Sequence, residues 1–222
     1  MPSPYTHGTW CHELRSSRMS RWKPDAVGRL AKAAITLFAE QGYEATTVAE
    51  IAERAGLTKR TFFRHFSDKR EVLFSGTQEL ERVWLGAMNS APAHAGPLAM
   101  VTAGLDPVAT MFIERHAFAR VRAEIIGANP ELQERELIKL HNLAVAIEGA
   151  LRDRGVAAST ATLAAEAGVT VFHVAFAAWL KQDDPNAFRR MMEASLDELR
   201  TITGATTTEP AKPVGSRRGR LR

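Results

Sequence analysis

Cysteine is nearly missing from this 222-residue chain, Cys11 being the only one. That excludes an internal disulfide framework and fits a reducing compartment. No run of about 20 apolar residues reads as a membrane span. No apolar leader of signal-peptide type opens the chain, so a cytoplasmic address without membrane partners is expected. Paired cysteines, His-Glu metal spacing, a phosphate-cradling glycine loop and a nucleophile elbow are all lacking. An enzyme reading therefore has no residue set to stand on, and no catalytic residue, cofactor or metal is implied. His7, Cys11 and His12 lie close together, yet three ligands without a second cluster fall short of a metal site. Internal repeats and convincing strands are absent as well.

What is present is apolar helical pattern and unevenly placed charge. Hydrophobic residues make up 45% of a 24.4 kDa chain, enough for a sizeable core in one large or two small domains. The net charge is +4 overall, but residues 1–75 hold 12 Lys and Arg against 8 Asp and Glu. Residues 76–203 hold 12 against 16, and residues 204–222 hold 5 against 1. Positive charge thus collects at the two ends, which suits phosphate binding there.

The densest pattern runs from Thr46 to Phe74. Val48, Ile51, Ala52 and Ala55 recur at helical spacing, and Thr47 with Glu50 forms a capping box. Gly56 supplies the left-handed residue that ends the helix, and Leu57 fills the corner. Thr58 caps a second helix over Lys59 to about His65, with Phe62 and Phe66 turned inward. In such a helix-turn-helix the second helix lies in the major groove with its N-terminal residues over base edges. Those residues are Thr58, Lys59, Arg60 and Thr61. Lys59 and Arg60 suit guanine O6 and N7, while threonine meets a thymine methyl or a phosphate.

With the preceding LFAEQGYEATTV, this segment resembles the N-terminal domain of the TetR family of transcriptional regulators over residues 24 to 73. The resemblance implies phosphate contacts by Thr47, by His65 and by Lys69 at the start of a fourth helix. Phe63 departs from the family pattern, which has a tyrosine whose hydroxyl meets a phosphate. Losing such a bond costs about 1 kcal/mol per subunit, which neighbouring Arg64 offsets.

The expected organisation is a mobile basic arm over 1–22, a DNA-binding domain over 23–68 with the helix-turn-helix at 46–65, a helical domain over 69–203 and a disordered basic tail over 204–222. Arg15, Arg18, Arg21 and Lys23 of the arm suit an adjacent minor groove. The first helix is read from Pro24 to Gln41, with Leu30, Ala34, Leu37 and Phe38 inward. A long fourth helix, capped by Ser67 or Asp68, carries Leu73, Leu80, Val83, Trp84 and Met88 along one side, and a loop follows over Asn89–Pro97. Pro107 and Pro130 are breaks. Leu137, Leu140, Ala144, Ile147 and Leu151 form a bundle-like seam, Ser159–Gln182 is apolar nearly all round, and Asp184-Pro185 opens the last helix. The fold class is all-α: a three-helix DNA-binding domain followed by a larger helical domain, about nine helices in total.

For that larger domain the resemblance implies ligand binding and dimerisation. Met111, Phe112, His116, Arg120, Glu124, His141, Phe172 and His173 are the candidates for an apolar pocket with a few polar groups. Glu148 and Phe118 lie in the same region. Phe176, Trp179, Phe188, Met192 and Leu199 are the candidates for a homodimer interface. The expected function is a dimeric repressor on a near-palindromic operator in double-stranded DNA, released by a small hydrophobic effector. The alternatives are a nonspecific architectural DNA-binding protein and a helical enzyme.

Overall fold

The computed structural model describes residues 26–204, and these form two compact units, one ending at Ser75 and one beginning at Gly76. The proposed arm with its cations, the Pro24 helix start, the His7, Cys11 and His12 group and the tail beyond Gly204 all lie outside the described residues.

The first unit holds α1 (Ala26–Gln41), α2 (Val48–Arg54), α3 (Lys59–His65) and a 3-10 turn (Glu71–Phe74). Its core is Leu30, Ala34, Leu37 and Phe38 of α1 against Ile51, Ala52, Phe62, Phe66, Val72, Leu73 and Phe74. The expected long fourth helix is therefore broken. Asp68 Oδ1 accepts the amides of Arg70 and Glu71 at 2.8 and 3.2 Å, but the helix it starts is the short 3-10 turn. That turn packs on α1, so Leu73 belongs to the first core and the division falls after Ser75 rather than after residue 68.

The second unit contains α4 (Thr77–Ser90), α5 (Pro97–Thr102), α6 (Leu105–Ile113), α7 (His116–Gly127), α8 (Pro130–Asp153), α9 (Ala158–Trp179) and α10 (Ala187–Ile202). The described residues thus form ten α-helices and one 3-10 turn, without strands, in keeping with the all-helical fold of about nine helices expected. The extra helix arises at Ala103–Gly104, where the chain turns between α5 and α6. Pro107 sits in the first turn of α6 instead of breaking a helix. Pro130 does open a helix, α8. The last helix begins at Ala187, because Asp184 Oδ1 accepts the Asn186 amide at 2.9 Å and holds Pro185 in a turn ahead of it.

Helix α9 lies between α8 and α10 and also meets α5. It is the one described helix long and apolar enough to cross a membrane, with a mean hydropathy of 1.5. Ala161, Ala165, Phe172, Ala175 and Trp179 nevertheless spend their apolar surface in the protein core. Within the seam expected on α8, Ala144, Ile147 and Leu151 are buried, but Leu137 is 61% exposed. Leu143 takes its place in the core.

Two close approaches knit this unit. Trp84 is fully buried and its Nε1 donates to the Val101 carbonyl at 2.9 Å. A Cβ on Gly104 would strike the Trp84 indole, and one on Gly168 would strike Val101 Cγ1. The Arg154 guanidinium closes the far end of α4 by donating to the carbonyls of Met88, Ala91 and Pro92 at 2.6, 3.0 and 3.1 Å. Gly104→Ala is expected to lower stability by about 1–3 kcal/mol through overpacking. Gly149→Ala in the interior of α8, where an added carbon meets nothing within 4 Å, is expected to raise it by about 1 kcal/mol. Urea unfolding followed by tryptophan fluorescence separates the two, and equal responses would contradict this packing.

Candidate nucleic-acid interface

Helix α3 is held at its start, on its inner face and at its end. Thr58 is extended, and its Oγ1 accepts the Thr61 amide at 3.1 Å. Phe62 is fully buried, Phe66 is 7% exposed, and their rings lie 5.4 Å apart. Gly56, at φ +64°, makes the corner that no side chain enters without strain. Leu57 is half-buried at that corner. The remaining side chains point to solvent: Lys59, Arg60, Arg64 and His65 are exposed, and Phe63 is 56% exposed. Lys59 and Arg60 have no acidic partner among the described residues, and Arg64 meets only His65 Nε2 at 3.5 Å. Oγ1 of Thr58 and Oγ1 of Thr61 are 3.0 Å apart, so one hydroxyl donates to the other and the second keeps its proton free.

Two of the expected contacts are engaged within the protein. The capping box at Thr47 is complete: Oγ1 accepts the Glu50 amide at 3.3 Å, while Oγ1 and the Thr47 amide each donate to Glu50 Oε2 at 2.7 Å. The Thr47 hydroxyl proton is thereby spent. The Thr47 hydroxyl, then its amide, then Gln41 hold the Glu50 carboxyl below the usual carboxylate range. A depressed acid contributes its stabilisation above the unfolded pKa and loses it as pH falls through the folded one. The box therefore persists somewhat below the ordinary range.

Lys69 differs more. Its Nζ donates to the carbonyls of Tyr43, Glu44 and Thr46 at 2.8, 3.1 and 3.3 Å and lies 4.3 Å from the Tyr43 ring centroid. All three ammonium protons are thus directed into the turn between α1 and α2. The family resemblance implies a DNA contact for Lys69; in the structure its ammonium fixes the chain entering α2. Arg29 does the same at the other end of α2, donating to the carbonyls of Ala55 and Gly56. Arg54 pairs with Glu40 of α1 at 2.7 Å. Sequence reading missed Arg29 and Tyr43, and no local signal marks them, since their partners are 26 residues away.

The candidate ligand residues of the second unit divide. Phe112 and Phe172 meet in an aromatic cluster, with Phe112 5.2 Å from Phe176 and 5.8 Å from Phe188. His116, 7% exposed, packs tilted against Trp179, ring centroids 4.5 Å apart, with Nε2 3.4 Å from the Trp179 carbonyl oxygen. Met111 is half-buried against the same core. Arg120, Glu124, His141 and His173 are exposed instead. Arg120 pairs with Asp183 at 3.3 Å, and His141 Nδ1 lies 4.0 Å from Glu166.

The candidate interface residues lie in or against the chain's own core. Trp179 and Phe188 are fully buried and stacked on each other at 4.5 Å, and Met192 is 2% exposed. Phe176 and Leu199 are half-buried against the same cluster. These side chains fill the chain's own core, because α9 and α10 pack along much of their lengths. The outward apolar residues are others: Leu163 at 72% and Val174 at 50% exposure on α9, Leu137 and Val145 on α8, and Ile202 on α10.

Lys69→Met keeps the aliphatic stem and removes the ammonium. It is expected to destabilise the first unit by about 1.5–3 kcal/mol, the usual worth of hydrogen bonds to a charged group. Thermal unfolding followed by circular dichroism checks this, and an unchanged midpoint would remove Lys69 from the framework of the domain.

Residues 30–75 match the profile described as "Bacterial regulatory proteins, tetR family". The chain is 39% identical over 85 residues to the HTH-type transcriptional regulator TcmR of Streptomyces glaucescens, covering 38% of this chain and 36% of that protein. It is 38% identical over 64 residues to the HTH-type transcriptional activator FasR of Mycolicibacterium smegmatis, covering 29% and 28%. These matches span about a third of the relatives' length or less. In fold it is similar to Thermus thermophilus FadR, a repressor crystallised with lauroyl-CoA, at a TM-score of 0.52 and 21% identity over 85% of this chain and 100% of that one. It is likewise similar to a putative transcriptional regulator of Pseudomonas aeruginosa, at 0.54 and 18% over 83% and 95%. The capped, outward-facing α3 thus lies inside the segment that matches the tetR-family profile, which identifies residues 30–75 as a DNA-binding domain of the kind found in bacterial regulatory proteins of that family, and the all-helical fold is one that these solved structures share.

Proposed function

We propose that the protein is a sequence-specific transcriptional regulator, a cytoplasmic dimeric repressor that binds double-stranded DNA through α3 and is released by a small hydrophobic effector. The observation that carries the reading is the exposure of Lys59 and Arg60 on a helix rigidly capped at Thr58. Two cations without acidic partners among the described residues contribute little to folding and suit base edges and phosphates. Arg64 and His65, one turn further on, suit the flanking phosphates. Thr47 and Lys69 act here by holding α2, with which α3 packs.

Phosphate contacts set register and base contacts set sequence preference. Arg60→Ala is expected to lower affinity for a selected operator far more than for random DNA. Lys69→Met, whose ammonium faces protein carbonyls, is expected to leave the salt dependence of binding unchanged, since it releases no counterion. Titrations on both DNAs at two salt concentrations read both effects. A wild-type preference well below about 10³-fold would favour an architectural DNA-coating protein instead.

Dimerisation is proposed on the outward face of α9, where Leu163, Thr170 and Val174 recur along one side. Two copies would set their α3 helices about 34 Å apart, one turn of DNA. Leu163→Glu is expected to yield a monomer in sedimentation and to weaken operator binding, and a dimer that survives it would move the interface elsewhere.

The effector is assigned to the packed aromatic cluster around Phe112, Phe172 and His116, where a hydrophobic molecule with one polar group would have to part the rings to reach apolar surface and the single imidazole buried among the described residues. FadR of Thermus thermophilus, which binds lauroyl-CoA, is the reason to begin with acyl compounds. Thermal-shift screening with and without operator is expected to find a compound that stabilises the free protein and weakens DNA binding, with a coupling of about 1–3 kcal/mol.

A further inference from the structure

A phenyl ring, 56% exposed, stands in the middle of the most cationic helix of the first unit. Phe62 beside it is fully buried and fills the core, and it meets Phe63 edge-on at 5.5 Å and 80°. That leaves most of the Phe63 ring in solvent while its base is anchored. Lys59 and Arg60 precede Phe63 by four and three residues, so the ring shares their face of the helix. Whatever surface those cations are drawn to, the ring meets as well.

The chemistry of the ring narrows what it meets. A phenyl group has no donor for a phosphate and none for the N7 and O6 acceptors of guanine. Covering such polar atoms with it costs free energy, because their water is lost without replacement. One apolar group stands on a base edge in the major groove, the C5-methyl of thymine. Burying that methyl against the ring removes apolar surface of both from water.

We propose that Phe63 is a specificity-determining residue, a thymine reader whose ring covers the C5-methyl of one thymine in each half-site. The inference rests on the DNA-binding reading of α3 and goes beyond it by assigning a base to a residue that has no hydrogen bond to offer. Arg60 selects by hydrogen bonding and Phe63 by shape, so the two discriminate at different base pairs.

The test uses the full chain and duplexes that it selects from a random pool. Each thymine of the enriched half-site is replaced in turn by deoxyuridine, which removes the methyl and keeps every hydrogen-bonding group. At one position the wild type is expected to lose roughly fourfold in affinity per methyl, the equivalent of about 0.8 kcal/mol for one buried carbon. Phe63→Ala is expected to bind the thymine and uracil forms alike, with its circular-dichroism melt matching the wild type because the ring is largely outside the core. Enrichment of a sequence followed by wild-type indifference to every uracil overturns this proposal alone. So does equal thymine-over-uracil discrimination by Phe63→Ala. A pool that yields no enriched sequence overturns the regulator reading and the thymine reader with it.

Discussion

A helix of seven residues has too few internal hydrogen bonds to persist in water, so α3 exists because Phe62 is buried. Its side chain, fully buried and 5.4 Å from the Phe66 ring, converts a stretch of outward cations into a rigid rod. The Thr58 cap sets where that rod begins and Gly56 sets the corner it leaves. The outward setting of Lys59, Arg60 and Phe63 depends on this anchoring. A ring or guanidinium on a fraying helix would lose on binding the entropy that this packing has already removed.

The orientation of the rod comes from longer ties. Arg29 and Lys69 both donate to main-chain carbonyls at the two ends of α2, one from α1 and one from just before the 3-10 turn. Carbonyls near a helix end have no partner within the helix, and the amides at the helix start are met by the Thr47–Glu50 box. The corner helix is therefore satisfied at both ends by side chains, so α2 is a fixed support for α3.

The legible part of this arrangement was the local part. Thr47 with Glu50, Gly56, and Thr58 ahead of the Phe62 and Phe66 pair act over four residues or fewer, so their spacing in the sequence is their geometry. Lys69 and Arg29 act across 26 residues, and a lysine at a helix start reads equally as a phosphate ligand. In the second unit the obscurity has another cause. Helix α9 is apolar on several faces, so periodicity cannot say that Trp179 turns to Phe188 while Leu163 turns out. The close approach at Gly104 was hidden because what lies against it is the Trp84 ring, 20 residues earlier in the chain. Such choices are made by packing between helices, which a pattern along one helix does not contain.

Ion pairs occur in both units, Arg54 with Glu40 and Arg70 with Asp68 in the first, so what marks α3 is that its cations are left out of them. In the second unit Arg115 meets Glu79, Arg120 meets Asp183, Arg122 meets Glu136, Arg189 meets Asp106, Arg190 meets Asp184 and Arg200 meets Asp197. Such exposed pairs stabilise a fold by little, but each cancels its own field within a Debye length, about 8 Å at physiological salt. On α3, Lys59 and Arg60 carry charge that no described acid cancels. A field that survives locally steers a polyanion to one small area, and it does so where the helix is most rigidly held. The net charge of +4 is modest for a nucleic-acid-binding protein. The local bias arises because the first unit's acids are engaged elsewhere, Glu40 with Arg54, Asp68 with Arg70 and Glu50 in the capping box, and leave Lys59 and Arg60 unopposed.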